Sequence, residues 1–380
     1  MPRTFPCHGA RAARGLTLVE LMVGIALGLI ATLAVVQVLA VSEGQRRTTT
    51  SGADAQVSGA LGLYALERDL KSAGYGLSST REALACAITA RYNGAVVANM
   101  PTTLLPVSIT AGAGGASDTL RILASNKAGF SVPIRVMPPR YQPNDQWFSV
   151  ASTLGVAQND LMLAFRATGE PCHLFRVTAN PTGSVAQIPR ADDAGWNGAG
   201  QPNVEIAEGS QLINLGTLLD HTYRVDAARA VLQRVSFDTT TRTQVVTDVQ
   251  PGIVLMRAFY GLDRAATAAQ LAAGTGQTRV DTYTLDAAKV PTTAADWQRL
   301  LSVRIAIVAR SGHYEKEEVT TSNPVWDVGT AAEVDGAVTC GSSKCVTLDV
   351  GADTAGSEAR HYRYKVYDTV VPLVNLLWRS

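Results

Sequence analysis

The sequence lacks the residue patterns by which most enzymes and nucleotide binders are recognised. It holds no GxGxxG, no P-loop, no HExxH and no GxSxG, so neither a phosphate cradle nor a positioned nucleophile or zinc pair is written in it. Histidine is scarce, and His173, His221, His313 and His361 are dispersed along the chain. Charge of one sign is also missing. Lys plus Arg number 33 and Asp plus Glu 32, which leaves no basic field for nucleic acid. The chain holds no internal repeat. Proline is absent between Pro6 and Pro101, which permits a long unbroken helix across the first hundred residues. A hydrophobic content of 46% excludes a disordered chain, and 380 residues suffice for a sizeable core.

What is present begins with an apolar run, GLTLVELMVGIALGLIATLAVVQVLAV at 15–41, broken only by Glu20. The 21 residues 21–41 are uncharged, and as a helix they reach about 31 Å, enough to cross a bilayer. Arg3, Arg11 and Arg14 precede the run, and Arg46 and Arg47 follow it. The leading arginines favour a cytoplasmic N-terminus, with the trailing pair weakening that bias. A carboxylate inside a membrane span costs about 2.5–3.5 kcal/mol and therefore needs a partner or a function. Gly24 and Gly28 form a small-xxx-small pair that lets helices approach closely.

Gly15 followed by LTLVELMVGIALGL resembles the class III signal of type IV pilins and type II secretion pseudopilins. The resemblance implies cleavage between Gly15 and Leu16 by a prepilin peptidase, N-methylation of the new terminus, and Glu20 as the hallmark acid. Leu16 stands where the family usually has Phe. The physical reading supplies a partner for Glu20. Once Leu16 is the terminus its amine is a cation, and the acid one helical turn away can pair with that of a neighbouring subunit. The alternative for Glu20 is a solvated place near the headgroups of an ordinary signal anchor.

Past the apolar run, 42–55 is polar, with TTTSG at 48–52 as an expected soft point. Two apolar series recur at helical spacing beyond it, Val57, Leu61, Tyr64 and Ala65, and Leu63, Leu66, Leu70 and Ala73, predicting a broad face packed on a core. Gly74 and Gly76 predict a helix end near Tyr75. From 77 onward, short β-type runs alternate with Gly, Pro, Asn and Asp clusters. Strands are expected at 119–124, 132–137, 160–165, 173–178, 223–226, 230–237, 253–260, 301–310 and 361–367. In the last two, Arg304, His361, Arg363 and Lys365 interleave with apolar residues, predicting one wet face. The fold class is therefore α+β: a long N-terminal helix, transmembrane in its first half and amphipathic in its second, packed on a large, mainly antiparallel β-rich domain. The expected divisions are a leader at 1–15, an assembly helix at 16–41, its amphipathic continuation at 42–76, and an extracytoplasmic domain at 77–380.

LERDLKSAGYG at 66–76 resembles the corresponding stretch of minor pilins of the PilW type. So do GIVLMRAFYGLD at 252–263, WQRLLSVRIAIVARS at 297–311 and HYRYKVYDTVVPLVNLL at 361–377. The likeness covers about half of the chain, with a PilW-like C-terminal region at about 209–380. It implies a minor pilin that joins pilus assembly or priming by protein association, and the bulk of the domain after the helix, about 300 residues, suggests a place in a tip complex. The implied partners are prepilin peptidase, other minor pilins, the major pilin and the inner-membrane platform. The implied route runs from a single span in the bacterial inner membrane to the pilus. A type II secretion minor pseudopilin and a pilus-tip adhesin, with recognition in the loops at 110–117, 180–202 or 265–277, are the alternatives. Many relatives have an Asp- and Gly-rich loop after the YG-x-D element that implies calcium. Here that loop has only Asp263 and Asp281 as acids, and no metal, cofactor or enzymatic activity is expected. Asp192 and Asp193 are read as solvated turn acids.

With export implied, Cys7 leaves with the leader and Cys86, Cys172, Cys340 and Cys345 read as two disulfides with three possible connectivities. Cys340 and Cys345 enclose only GSSK, so a local bridge is the simplest arrangement and leaves Cys86 with Cys172. No C-x-x-C spacing or paired His supports zinc instead.

Overall fold

A computed structural model of the chain describes residue 15 and residues 17–77, 80–127, 132–182, 186–193, 195–198, 201–273 and 279–377. The chain divides into two units, residues 1–52 and 53–380. One helix, Leu18–Ser72, contains residues of both and continues without a break through the expected soft point at 48–52. With no proline to remove a bond, the helical hydrogen-bond ladder carries through the weak helix propensity of the threonines. The helix ends at Ser72 in a turn where Gly74, at φ +75°, donates its N–H to the Leu123 carbonyl.

In the first unit, the helix from Leu18 to Glu43 is long and apolar enough to cross a membrane, and its side chains are exposed throughout.

The second unit is built on two five-stranded sheets. The first has the order Thr243–Pro251, Val231–Asp238, Leu219–Asp226, Thr119–Ala124, Val107–Thr110, antiparallel throughout. The second runs Glu333–Val334, Thr282–Thr284, Ile253–Leu262, Leu300–Arg310, Tyr364–Pro372, with a single parallel pairing between its two shortest strands. A four-stranded sheet, Ile134–Arg135, Gln211–Gly216, Leu161–Phe165, His173–Arg176, is formed from the middle of the chain.

Leu66 and Leu70 of the helix and Ala73 just past its end share one core with Leu120, Ile122, Tyr223 and Leu232 of the first sheet and Met256, Val303, Ile305 and Ile307 of the second. The helix thus bridges both sheets. Two glycines let it lie close. A Cβ at Gly59 would stand 2.1 Å from the Tyr367 ring, and one at Gly62 would stand 3.2 Å from Ile307 Cδ1.

Four expectations are corrected here. Only one of the two apolar helical series is covered: Val57, Leu61 and Tyr64 are 57%, 51% and 63% exposed. The sheets underlie only the arc that holds Leu66 and Leu70. Strand Leu300–Arg310 has no wet face, because Ala306 and Val308 on its second side pack against Trp326, Val346 and Leu348. Arg304 lies over the Tyr283 and Trp326 rings, 5.4 and 5.1 Å from their centroids, and donates to the Val328 carbonyl. Its guanidinium is stabilised by the aromatic quadrupoles and by Asp368, whose Oδ2 lies 3.3 Å from Nη2. His361 closes a 3₁₀ turn, Glu358–His361, ahead of the strand Tyr364–Pro372. Asp192 and Asp193 are ion-paired with Arg190 and Arg176 rather than simply solvated.

Candidate assembly helix and its anchorage

The first helical turn holds the residues that the sequence singled out. Gly15 is exposed, and Leu16 lies outside the described residues. Thr17 and Glu20 form a capping box. The Glu20 N–H donates to Thr17 Oγ1 at 3.2 Å, while Thr17 N–H and Oγ1 both lie 3.4 Å from Glu20 Oε2. This pairing satisfies orphan donors of the first turn and places the carboxylate at the positive end of the helix dipole. A T-x-x-E spacing is readable in a sequence, and here it gives Glu20 a local role within one chain. Beyond their chain neighbours and the helix's own backbone, Gly24 and Gly28 have no group among the described residues within 4 Å of where a Cβ would stand, so the close approach they permit is open to another chain.

The second half of the helix is fastened to the domain by groups that sequence reasoning passed over. Asp69 Oδ2 accepts hydrogen bonds from the Tyr223 hydroxyl and His221 Nδ1, each at 2.7 Å. Burial alone would raise the Asp69 carboxyl. The bonds from His221 and Tyr223, with the nearby charge of His221, outweigh burial and hold it below the usual carboxylate range. Tyr223 is pushed up, by burial first and by the Asp69 bond second. Asn375 Nδ2 donates to the Lys71 and Ala73 carbonyls, satisfying acceptors at the helix end. The available signal was positional: Asp69 borders the arc of Leu66, Leu70 and Ala73 and is half-buried, where a charge needs a partner.

Because the folded pKa of Asp69 is depressed, its contribution to stability is fully present above the unfolded value of about 3.9 and is lost as pH falls through the folded value. Asp69→Ala should lower the unfolding free energy by about 2–3 kcal/mol at pH 7 and flatten the acid limb below about pH 4. Urea denaturation at pH 7 and pH 3 measures both, and parallel pH profiles for the variant and the parent would contradict this assignment.

Cys86 bonds to Cys172 and Cys340 to Cys345, with Cα–Cα distances of 5.7 and 5.8 Å. The first bridge fastens the segment after the helix to the end of the four-stranded sheet, where Cys172 N–H also donates to the Ala87 carbonyl.

Several other polar groups that could suggest chemistry are internally occupied. Asp281 accepts the Arg264 and Ala265 N–H groups, and Asp263 accepts that of Ala266, so both acids brace a turn. In the adjoining cleft, Lys289 pairs with Glu333 and Asp335 at 2.8 and 2.9 Å. His361 Nδ1 meets the Glu315 carbonyl at 2.9 Å, and its ring stacks on Tyr314. Among the described residues, no group of three or more His, Cys, Asp or Glu could hold a metal ion.

Residues 222–375 match the family model PilW, described as type IV pilus-assembly protein W. The match supports a type IV pilus-related protein. It falls within the C-terminal region whose three blocks carry the sequence resemblance, and it contains every strand of the second five-stranded sheet. No curated protein and no solved structure matches the chain.

Proposed function

We propose that this chain is a minor pilin that takes part in assembling the type IV pilus through protein association, in a complex at the filament tip. The family match over residues 222–375 carries the reading, and the exposed apolar helix Leu18–Glu43 supports it as a single-span anchor. The described pilus-assembly role favours this reading over a type II secretion pseudopilin.

In this account prepilin peptidase cuts between Gly15 and Leu16, and the freed amine of Leu16 is methylated. The helix is held in the bacterial inner membrane with its N-terminus cytoplasmic. Glu20 then exchanges its local contact with Thr17 for the terminal amine of an adjacent subunit, while Gly24 and Gly28 admit that subunit's helix. The β-rich domain stays outside the cytoplasm and joins other minor pilins and the major pilin on the assembly platform. The bulk of the unit at 53–380 favours the tip, because it would crowd a shaft built on closely packed helices. The experiment that tests the reading is recovery of the chain from sheared pili with Leu16 at its terminus.

A further inference from the structure

The exposed face of the helix within the second unit has a regular composition. Asp54, Val57, Leu61, Tyr64 and Arg68 follow one another at intervals of 3, 4, 3 and 4 residues, the spacing of the a and d positions of a coiled-coil seam. Asp54 and Arg68 are exposed with the three apolar residues between them. The opposite side, with Ala55, Gly59, Gly62, Leu66 and Leu70, is buried against the chain's own sheets. This helix is therefore apolar on two sides and covered on one, and an apolar stripe of this kind fits a partner helix.

The two ends of the stripe state which partner fits. Among the described residues neither Asp54 nor Arg68 forms an ion pair; Glu67 pairs with Lys71 on this stretch of helix, and Asp54 Oδ2 stands near Gly312, an uncharged neighbour. In the pilin reading, every copy is inserted in the membrane in the same direction, so two such helices meet in parallel. In parallel register, a second copy would set Asp54 against Asp54 and Arg68 against Arg68, and like charges across a seam disfavour the pair. We infer that this face is built for a different chain, a parallel amphipathic helix with a basic residue opposite Asp54, an apolar centre opposite Val57, Leu61 and Tyr64, and an acid opposite Arg68. The seam selects against self-pairing and toward a charge-inverted neighbour. This goes beyond the pilin reading and depends on it only for the parallel direction.

The chain can serve as its own probe. A copy carrying Asp54→Arg and Arg68→Asp presents the inverted charges on an otherwise identical helix. Parent and swapped copies, each with Leu61→Cys and Cys7→Ser and with distinct tags, are co-expressed in a bacterial inner membrane and oxidised. Cross-linked parent–swapped pairs should exceed both same-type pairs by about tenfold, the combined effect of replacing two repulsions with two attractions. Equal yields in all three combinations would overturn the inference. So would an excess of same-type pairs, which would mean antiparallel docking of Asp54 on Arg68. Loss of the chain from the membrane fraction would instead count against the pilin reading, and would remove the parallel register with it.

Discussion

Replacing Cys86 and Cys172 together by alanine is expected to lower the unfolding free energy by about 4.5 kcal/mol, against about 2 kcal/mol for the Cys340 and Cys345 pair. The asymmetry follows from chain entropy. The first bridge closes a loop with a sequence separation of 86 and the second one of 5, so the unfolded chain regains far more freedom when the first is removed. Packing adds to the difference. Cys86 and Cys172 are buried in a cluster with Leu163 and Leu174, whereas Cys340 is partly exposed at the turn it closes. Double replacement is the informative variant, because a single one leaves a buried thiol that can oxidise elsewhere. Urea denaturation of the oxidised parent and the two double variants gives the comparison. Equal losses for the two pairs, or labelling of Cys86 by a thiol reagent in the native exported protein, would contradict the bridge as the larger constraint.

The second large effect is expected at Glu20. Glu20→Ala should leave membrane insertion intact, since removing a charge from an apolar span eases insertion, yet reduce the chain in sheared pili more than about a hundredfold. Withdrawing one partner of a buried ion pair costs about 3–5 kcal/mol. The capping box offers a competing cause, because alanine also removes the contacts to Thr17. Glu20→Gln separates the two: glutamine keeps the cap geometry but cannot pair as an anion with the terminal amine. The account predicts that Gln fails to support incorporation as Ala does. Incorporation restored by Gln would mean that capping of the helix, not charge pairing, is what the carboxylate supplies.

The readable parts of this fold are those where one physical signal dominates. The long helix follows from the absence of proline and the apolar run. The strands Ile253–Leu262 and Leu300–Arg310 were recognisable because sustained β-type apolar runs survive even when both faces are buried. Thr243–Pro251 was missed because most of its residues face solvent on both sides, which leaves no alternation to detect. Gln211–Gly216 carries Asn214 and ends in Gly216, and Ser343–Thr347 opens on Ser343 and Lys344, so polar and turn-favouring residues hide both from a reading by apolar runs.

The helical face was misread for a different reason. Val57, Leu61 and Tyr64 are spaced as well for burial as Leu63, Leu66 and Leu70, and only tertiary placement decides which arc meets a sheet. Arg304 and Asp69 show the converse: a charge inside an apolar pattern marks a specific partner, but the aromatic rings or the His and Tyr that receive it come from distant sequence. At the N-terminus, Gly15, Glu20, Gly24 and Gly28 are legible as motif residues, and what is visible within one chain is the Thr17–Glu20 cap and open space at the two glycines.

The central claim is that the chain is processed as a pilin and enters the filament. Mass spectrometry of the chain recovered from sheared pili tests it most directly. The account predicts a chain that begins at Leu16 and carries a methyl group on its amine. A chain retaining Met1 in cells with an active prepilin peptidase, and absent from the pilus fraction, would contradict it.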